Sequence, residues 1–202
     1  MDSTSKTLVI GPAWVGDMVM AQSLCSYLKT QNPGIEISVV APANTAPIAK
    51  RMPAVHDVIE TTFAHGRLHL KARWRIGHSL KKQGFSQAFV LPGSLKSALV
   101  PFFATIPLRT GYSGEPRWGL INDCRPKPQH KRDLMVDRFI NLARTKPSIQ
   151  KIAFPAPRLE ADLSAPQTIF RRLNKKIKAR PVLALCPGAE FGPAKQWPPA
   201  SF

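Results

Sequence analysis

Residues 7–11 read TLVIG, an apolar stretch rich in branched side chains, and the pattern then changes period. From 16 to 30, Met18, Ala21, Leu24, Cys25 and Leu28 recur three and four positions apart, which predicts one buried face of a helix. Asn32-Pro33-Gly34 ends that helix. Apolar runs at 35–40, 58–61, 88–91 and 108–112 predict further strands. Helical patterns at 45–51, 69–83 and 94–104 lie between them, with Gly84 stopping the second. Short apolar strands alternating with helices predict parallel βαβ units, hence an α/β, Rossmann-like layered domain.

The second half is less regular. A helix is predicted over 133–144, a proline-rich linker over 147–157 and another helix over 166–178. After Pro181 the opening pattern returns as VLAL followed by the loop PGAEFGPAKQW. We therefore expect a first Rossmann-like domain over 1–150, a linker and interdomain helix over 151–180, and the first strand and loop of a second domain over 181–202. That second unit is expected to be unfinished at Phe202.

Charge narrows the choice of partner. Lys and Arg number 29 against 12 Asp and Glu, a net charge of +17 over 202 residues. Between Thr61 and Gly114 there is no acidic residue, while Arg67, Lys71, Arg73, Arg75, Lys81, Lys82, Lys96 and Arg109 all fall there. A one-sign stretch of this length points to an anion: nucleic acid, an acidic membrane surface or a phosphorylated metabolite. Three widely spaced cysteines suit a reducing compartment and fit neither a disulfide framework nor a zinc site. The N-terminus has no signal-peptide pattern, and the longest apolar run, 98–108, is broken by two prolines and too short to cross a bilayer. A cytoplasmic location is expected, peripheral to a membrane at most. His65 and His69 are four apart with His78 beyond, yet no nearby carboxylate completes a metal site, so no metal is expected. The four tryptophans read as packing or pocket walls, since no RNA-binding motif surrounds them.

The loop after the first strand, GPAWVGDM, carries the most specific chemistry. A strand followed by G-x-x-x-x-G opens a phosphate-binding loop, but Asp17 and Met18 stand where Lys and Ser or Thr belong. A carboxylate there repels a triphosphate, and the dinucleotide fingerprint G-x-G-x-x-G is absent. What remains is an acidic side chain in the first turn of a helix, at the carboxyl end of strand one. Open α/β sheets place their ligands there, and a helix N-terminus favours negative charge. Two readings stay open: Asp17 is a helix-end residue, or it is a general base that takes a proton from a hydroxyl.

Three long blocks, GPAWVGDMVMAQSL, LPGSLKSALVPFFATIPLRTGYSGEPRWGLIND and LCPGAEFGPAKQWP, resemble the lipopolysaccharide heptosyltransferases of glycosyltransferase family 9. The resemblance implies the GT-B architecture, two Rossmann-like domains with the acceptor on the first and the nucleotide-sugar on the second. It also implies transfer of L-glycero-D-manno-heptose from ADP-heptose to an inner-core heptose of lipopolysaccharide, inverting at the anomeric carbon, with no cofactor. On this pattern Asp17 is the base, Lys195 and Gly16 lie on the donor side, and Lys96, Arg109, Glu115 and Arg117 lie on the acceptor side. Lys195 would offset charge on the departing ADP. The acceptor would be of the heptosyl-Kdo2-lipid A type, held at the anionic inner face of the plasma membrane. With most of the donor domain beyond Phe202, little or no turnover is expected of this chain. A nucleic-acid-binding module is the alternative, on charge alone, since no helix-turn-helix, KH, OB or zinc signature is present.

Overall fold

The computed structural model describes residues 5–63, 67–127, 134–144, 156–162 and 164–173, and isolated positions between 183 and 201. The predicted linker at 147–157 falls almost wholly outside these residues, as do most of the strand and loop after Pro181 and the last part of the helix predicted over 166–178. The chain forms two compact units, Met1–Ala161 and Asp162–Phe202.

In the first unit six strands form one parallel sheet: β1 (Lys6–Ile10), β2 (Glu36–Pro42), β3 (Asp57–Thr61), β4 (Gln87–Val90), β5 (Leu108–Tyr112) and β6 (Asp123–Arg125). Their order across the sheet is β3-β2-β1-β4-β5-β6, the Rossmann winding. Among the described residues of this unit, five α-helices connect or cover them: α1 (Val15–Gln31), α2 (Ala46–Ala49), α3 (Leu70–Leu80), α4 (Leu99–Phe103) and α5 (Met135–Ala143). The predicted alternation is therefore found, with strand ends moved by at most two residues. The helix expected over 94–104 splits into a 3-10 turn, Leu95–Ala98, and the short α4.

Because β1 and β4 are near-continuous apolar strands, they are buried on both faces. One face packs Met18, Leu24 and Cys25 of α1 against Val9, Ile37 and Phe89, and is closed by Phe139 and Leu142 of α5. The other packs Leu8, Ile10 and Val90 against Leu80 of α3 and Val100 at α4. Gly77 sets the close approach of α3 to α4: a Cβ there would meet the Val100 carbonyl oxygen at 2.8 Å and Phe103 Cβ at 2.5 Å. This contact fixes the rotation of α3 and with it the direction of Arg73, one turn earlier on the same buried face.

The strand β6 was not visible as an apolar run, because DCR is short, polar and at an edge. It is held by backbone pairing to β5 and by its arginine. Arg125 pairs with Asp123 at 3.0 Å and donates to the Asn141 carbonyl at 3.1 Å and to that of Arg144, at the C-terminal end of α5. A cation there meets the negative end of the helix dipole. Near the end of this unit Glu160 N–H donates to the Arg51 carbonyl at 2.8 Å and Leu159 packs on the core.

In the second unit, α6 (Ala165–Arg172) begins with proline in its first turn and ends in Arg171-Arg172. Each suits its helix end.

Candidate active site at the switch point

The winding of the sheet reverses between β1 and β4, so the loops leaving those strands diverge and open a crevice at their carboxyl ends. A cleft of about 580 Å³ occupies that place. Gly11 to Trp14 and Asp17 line one side, Leu91, Pro92, Ser94, Lys96 and Ser97 the other, with Glu115 and Arg73 completing the polar lining. Phe63, Met135 and Phe139 supply apolar wall.

The β1–α1 loop is fixed from below. The Asn44 side-chain amide donates to the Ala13 carbonyl at 2.8 Å and Thr45 Oγ1 to that of Pro12 at 3.2 Å. Gly11 N–H continues the ladder to Val40 O at 2.9 Å. Trp14 is the extended residue before the helix, which makes Asp17 the third helical residue. Its carboxylate lines the cleft and makes no hydrogen bond or ion pair among the described residues. Gly16 is exposed, and a Cβ added there would meet nothing within 4 Å.

The opposite wall is a loop held by two others. Glu115 Oε2 accepts the Leu95 N–H at 2.8 Å, and Glu115 N–H donates to Gly93 O at 3.0 Å. Gly114 passes so near Gly93 that a Cβ would collide with that carbonyl. Beneath them Arg117 is buried. Its Nη1 donates to Pro92 O at 2.8 Å, with Ser94 O and Ser97 Oγ each at 3.4 Å, and its Nη2 to Tyr112 O. Burial lowers the affinity of this guanidinium for its proton, and negative charge on Cys124, when ionised, and on Glu115 offsets part of that. Arginine still stays charged throughout the ordinary pH range.

Arg73 approaches from α3. Its Nε donates to Leu68 O at 2.8 Å, its Nη1 to Lys96 O at 2.9 Å, and the guanidinium lies over the Phe63 ring at 4.0 Å. Desolvation lowers its pKa as well. The lining thus holds two cations, Arg73 and Lys96, opposite the Asp17 side. The Lys96 ammonium has no partner among the described residues.

Of the residues singled out in the sequence, the structure gathers Asp17, Lys96 and Glu115 around one cleft. Arg117 reaches it only through the loop it supports. Arg109 is not brought there. Its Nε, Nη1 and Nη2 donate to the carbonyls of Leu120, Ile106 and Gly119 at 2.7, 2.5 and 3.1 Å, so its guanidinium holds the 117–122 turn rather than facing the cleft. Lys195 lies outside the described residues. Sequence reading missed Arg73 and Phe63 as cleft residues. The signal for Arg73 was present: it shares the buried face of α3 with Gly77 and Leu80, four and seven positions on. Phe63 carried none.

His69 stacks on Phe63 and His78 on Trp74, while His65 is outside the described residues. Among the described residues no three potential metal ligands come together, and no helix is long and apolar enough to cross a membrane.

Comparison with known proteins shows what the chain that carries this cleft is similar to. The chain is 45% identical over 201 residues to lipopolysaccharide heptosyltransferase 2 of Salmonella typhimurium and 46% identical over 198 residues to that of Escherichia coli, covering 96% of this chain in each case. It spans 57% of the length of these relatives. Its fold superposes on the structure of E. coli ADP-heptose lps heptosyltransferase II with a TM-score of 0.82 at 42% identity, over 96% of this chain and 57% of that one. A family 9 glycosyl transferase from Veillonella parvula shares the fold at 13% identity, with a TM-score of 0.70 over 86% of this chain and 51% of that one. Residues 73–202 match the model of glycosyltransferase family 9 (heptosyltransferase), and the chain belongs to that family.

Proposed function

We propose that this chain is the acceptor-binding half of a heptosyltransferase of the type II kind, which transfers L-glycero-D-manno-heptose from ADP-heptose to an inner-core heptose of lipopolysaccharide. The observation that carries the reading is the position of Asp17, which lines the cleft from the first turn of α1 and is unpaired among the described residues. Such a carboxylate accepts the proton of the acceptor hydroxyl as its oxygen attacks the anomeric carbon, and general-base catalysis of this kind contributes roughly 10²–10⁴-fold in rate. The bond from that carbon to the ADP oxygen breaks as the new glycosidic bond forms on the opposite face, which inverts the configuration.

Lys96 and Arg73 supply positive charge for an acceptor that carries carboxylates and phosphates, of the heptosyl-Kdo2-lipid A type. Glu115 holds the Lys96 loop open by engaging the Leu95 N–H, and Arg117 holds it from beneath. No neighbour in the described chain requires glycine at position 16, so close approach of a substrate is the reason we assign to it. Lys195, in the segment we assign to the start of the donor domain, would meet the diphosphate and stabilise the leaving group. The reaction needs no cofactor on this reading. The enzyme would work from the cytoplasm, peripheral to the anionic inner face of the plasma membrane. The matched length is 57% of that of the relatives, and turnover needs the donor half as well.

The test is a chimera joining residues up to Ala161 to the remaining length of the E. coli enzyme. With ADP-heptose and heptosyl-Kdo2-lipid A, it should transfer heptose, and Asp17→Asn should lower turnover by roughly 10²–10⁴-fold while acceptor binding persists. Turnover within a few-fold of the parent would remove Asp17 from the role of base.

A further inference from the structure

Helix α3 has a buried face and an exposed one. Its buried face sends Arg73 to the cleft. Its outward face carries Lys71, Trp74, Arg75 and His78, spaced i, i+3, i+4 and i+7, so all four lie on one side of the helix. Trp74 is 50% exposed, and Leu68 and Leu70, at the start of the helix, are 47% and 51% exposed. The Trp74 and His78 rings stack at 5.3 Å, which holds the indole against the helix surface and leaves it open to solvent. Lys81 and Lys82 continue the exposed cations past its end. None of the ion pairs among the described residues involves any of these cations. The helix packed beside it, α4, is LVPFF and brings no carboxylate.

We propose that the outward face of α3 is where the protein docks on an anionic lipid bilayer. Protein-covered patches have cores depleted of lysine, whereas here Lys71 lies beside the exposed tryptophan and Lys81 and Lys82 follow the helix. Indole rings bordered by cations, with leucine beside them, are the composition that settles at a lipid headgroup boundary. Each Lys or Arg near an anionic surface strengthens binding about fivefold, and the indole adds apolar burial at the same depth. Docking through α3 puts the helix that carries Arg73 at the membrane surface, next to a cleft assigned to a membrane-borne acceptor. In that one respect the inference rests on the proposed function; the surface itself does not depend on it.

The test uses the 202-residue chain and vesicles free of glycolipid and nucleotide-sugar, so it can fail while the heptosyltransferase reading stands. Phosphatidylcholine vesicles holding about one third phosphatidylglycerol should bind the chain, pure phosphatidylcholine should not, and added salt should weaken binding. Brominated acyl chains should quench indole fluorescence, and Trp74→Phe should remove most of that quenching. Lys71→Glu with Arg75→Glu should lower vesicle affinity by about thirtyfold or more, taking about fivefold for each cation lost. Lys29→Glu with Lys50→Glu makes the same change of net charge on the other sheet face, on α1 and at the residue after α2, and should cost only a few-fold. Equal loss from both pairs would mean that net charge alone drives binding and would overturn the assignment. Quenching unchanged by Trp74→Phe would also overturn it. So would tighter binding to duplex DNA, lost in the α3 pair, or a dimer in sedimentation that Trp74→Ser dissolves.

Discussion

The Nη1 of Arg73 donates to the carbonyl oxygen of Lys96 at 2.9 Å, tying a helix from one side of the sheet to the loop that carries the cleft lysine. The two residues are 23 positions apart, and the strand β4 lies between them. Through this bond the same guanidinium that faces the cleft also sets the height of its rim.

Arg73→Ala should therefore lower stability by about 2–3 kcal/mol, from two charge-assisted hydrogen bonds and the stacking on Phe63. Urea unfolding should show a lower midpoint with an unchanged slope. Arg73→Lys should recover little, because an ammonium cannot reach Leu68 O and Lys96 O in two directions at once.

The two buried or half-buried arginines of the 109–117 region should separate by where they act. Arg117→Met should speed amide exchange at the 92–97 loop, and Arg109→Met should speed it at the 119–122 turn. Each should cost on the order of 2–3 kcal/mol, since carbonyls are left without their charged donor. Only the Arg117 variant should also weaken acceptor binding. An equal loss from both would show that Arg109 reaches the acceptor despite its carbonyl partners.

Gly114→Ala should drive the Gly93 carbonyl away from its place, because the collision is with backbone and no rotamer change relieves it. Overpacking of this kind costs about 1–3 kcal/mol, readable in thermal unfolding. The bond from Leu95 N–H to Glu115 should lengthen in a crystal structure of the variant.

Burial pushes the Cys25 thiol up to about 12, from an ordinary 9.0. The folded protein thus keeps its proton while the unfolded chain releases it, so the folded state binds more protons between those values. Stability is unaffected below about pH 9 and falls as pH rises toward 12, by at most about 1.4 kcal/mol for each pH unit. Cys25→Ala should flatten that limb of the pH profile. A thiol reagent on the native protein should label the exposed Cys124 and spare Cys25.

Much of the fold was legible because β1, β2 and β4 are buried on both sides and announce themselves as apolar runs. The helix α1 shows its period for the same reason: Met18, Leu24 and Leu28 meet the core at each turn. The edge strand β6 escaped, since its stability comes from pairing with β5 and from Arg125 reaching α5, neither of which leaves an apolar signature. The split of 94–104 into a 3-10 turn and α4 escaped as well. Ser97 Oγ donates back to Pro92 O at 3.0 Å and draws that first turn tight, a preference no local spacing reveals.

The sequence by itself determined the alternation that makes a parallel layer, the carboxylate at the head of the first helix and the one-signed charge of 61–114. Those are local properties of neighbouring residues, set by period, turn chemistry and composition. Which arginine faces the cleft and which clamps a turn was decided by tertiary structure alone. Arg73, Arg109 and Arg117 have the same side chain and all donate to backbone carbonyls, and their roles differ because the fold sets the carbonyl partners of Arg73 beside the cleft and those of Arg109 in the turn away from it.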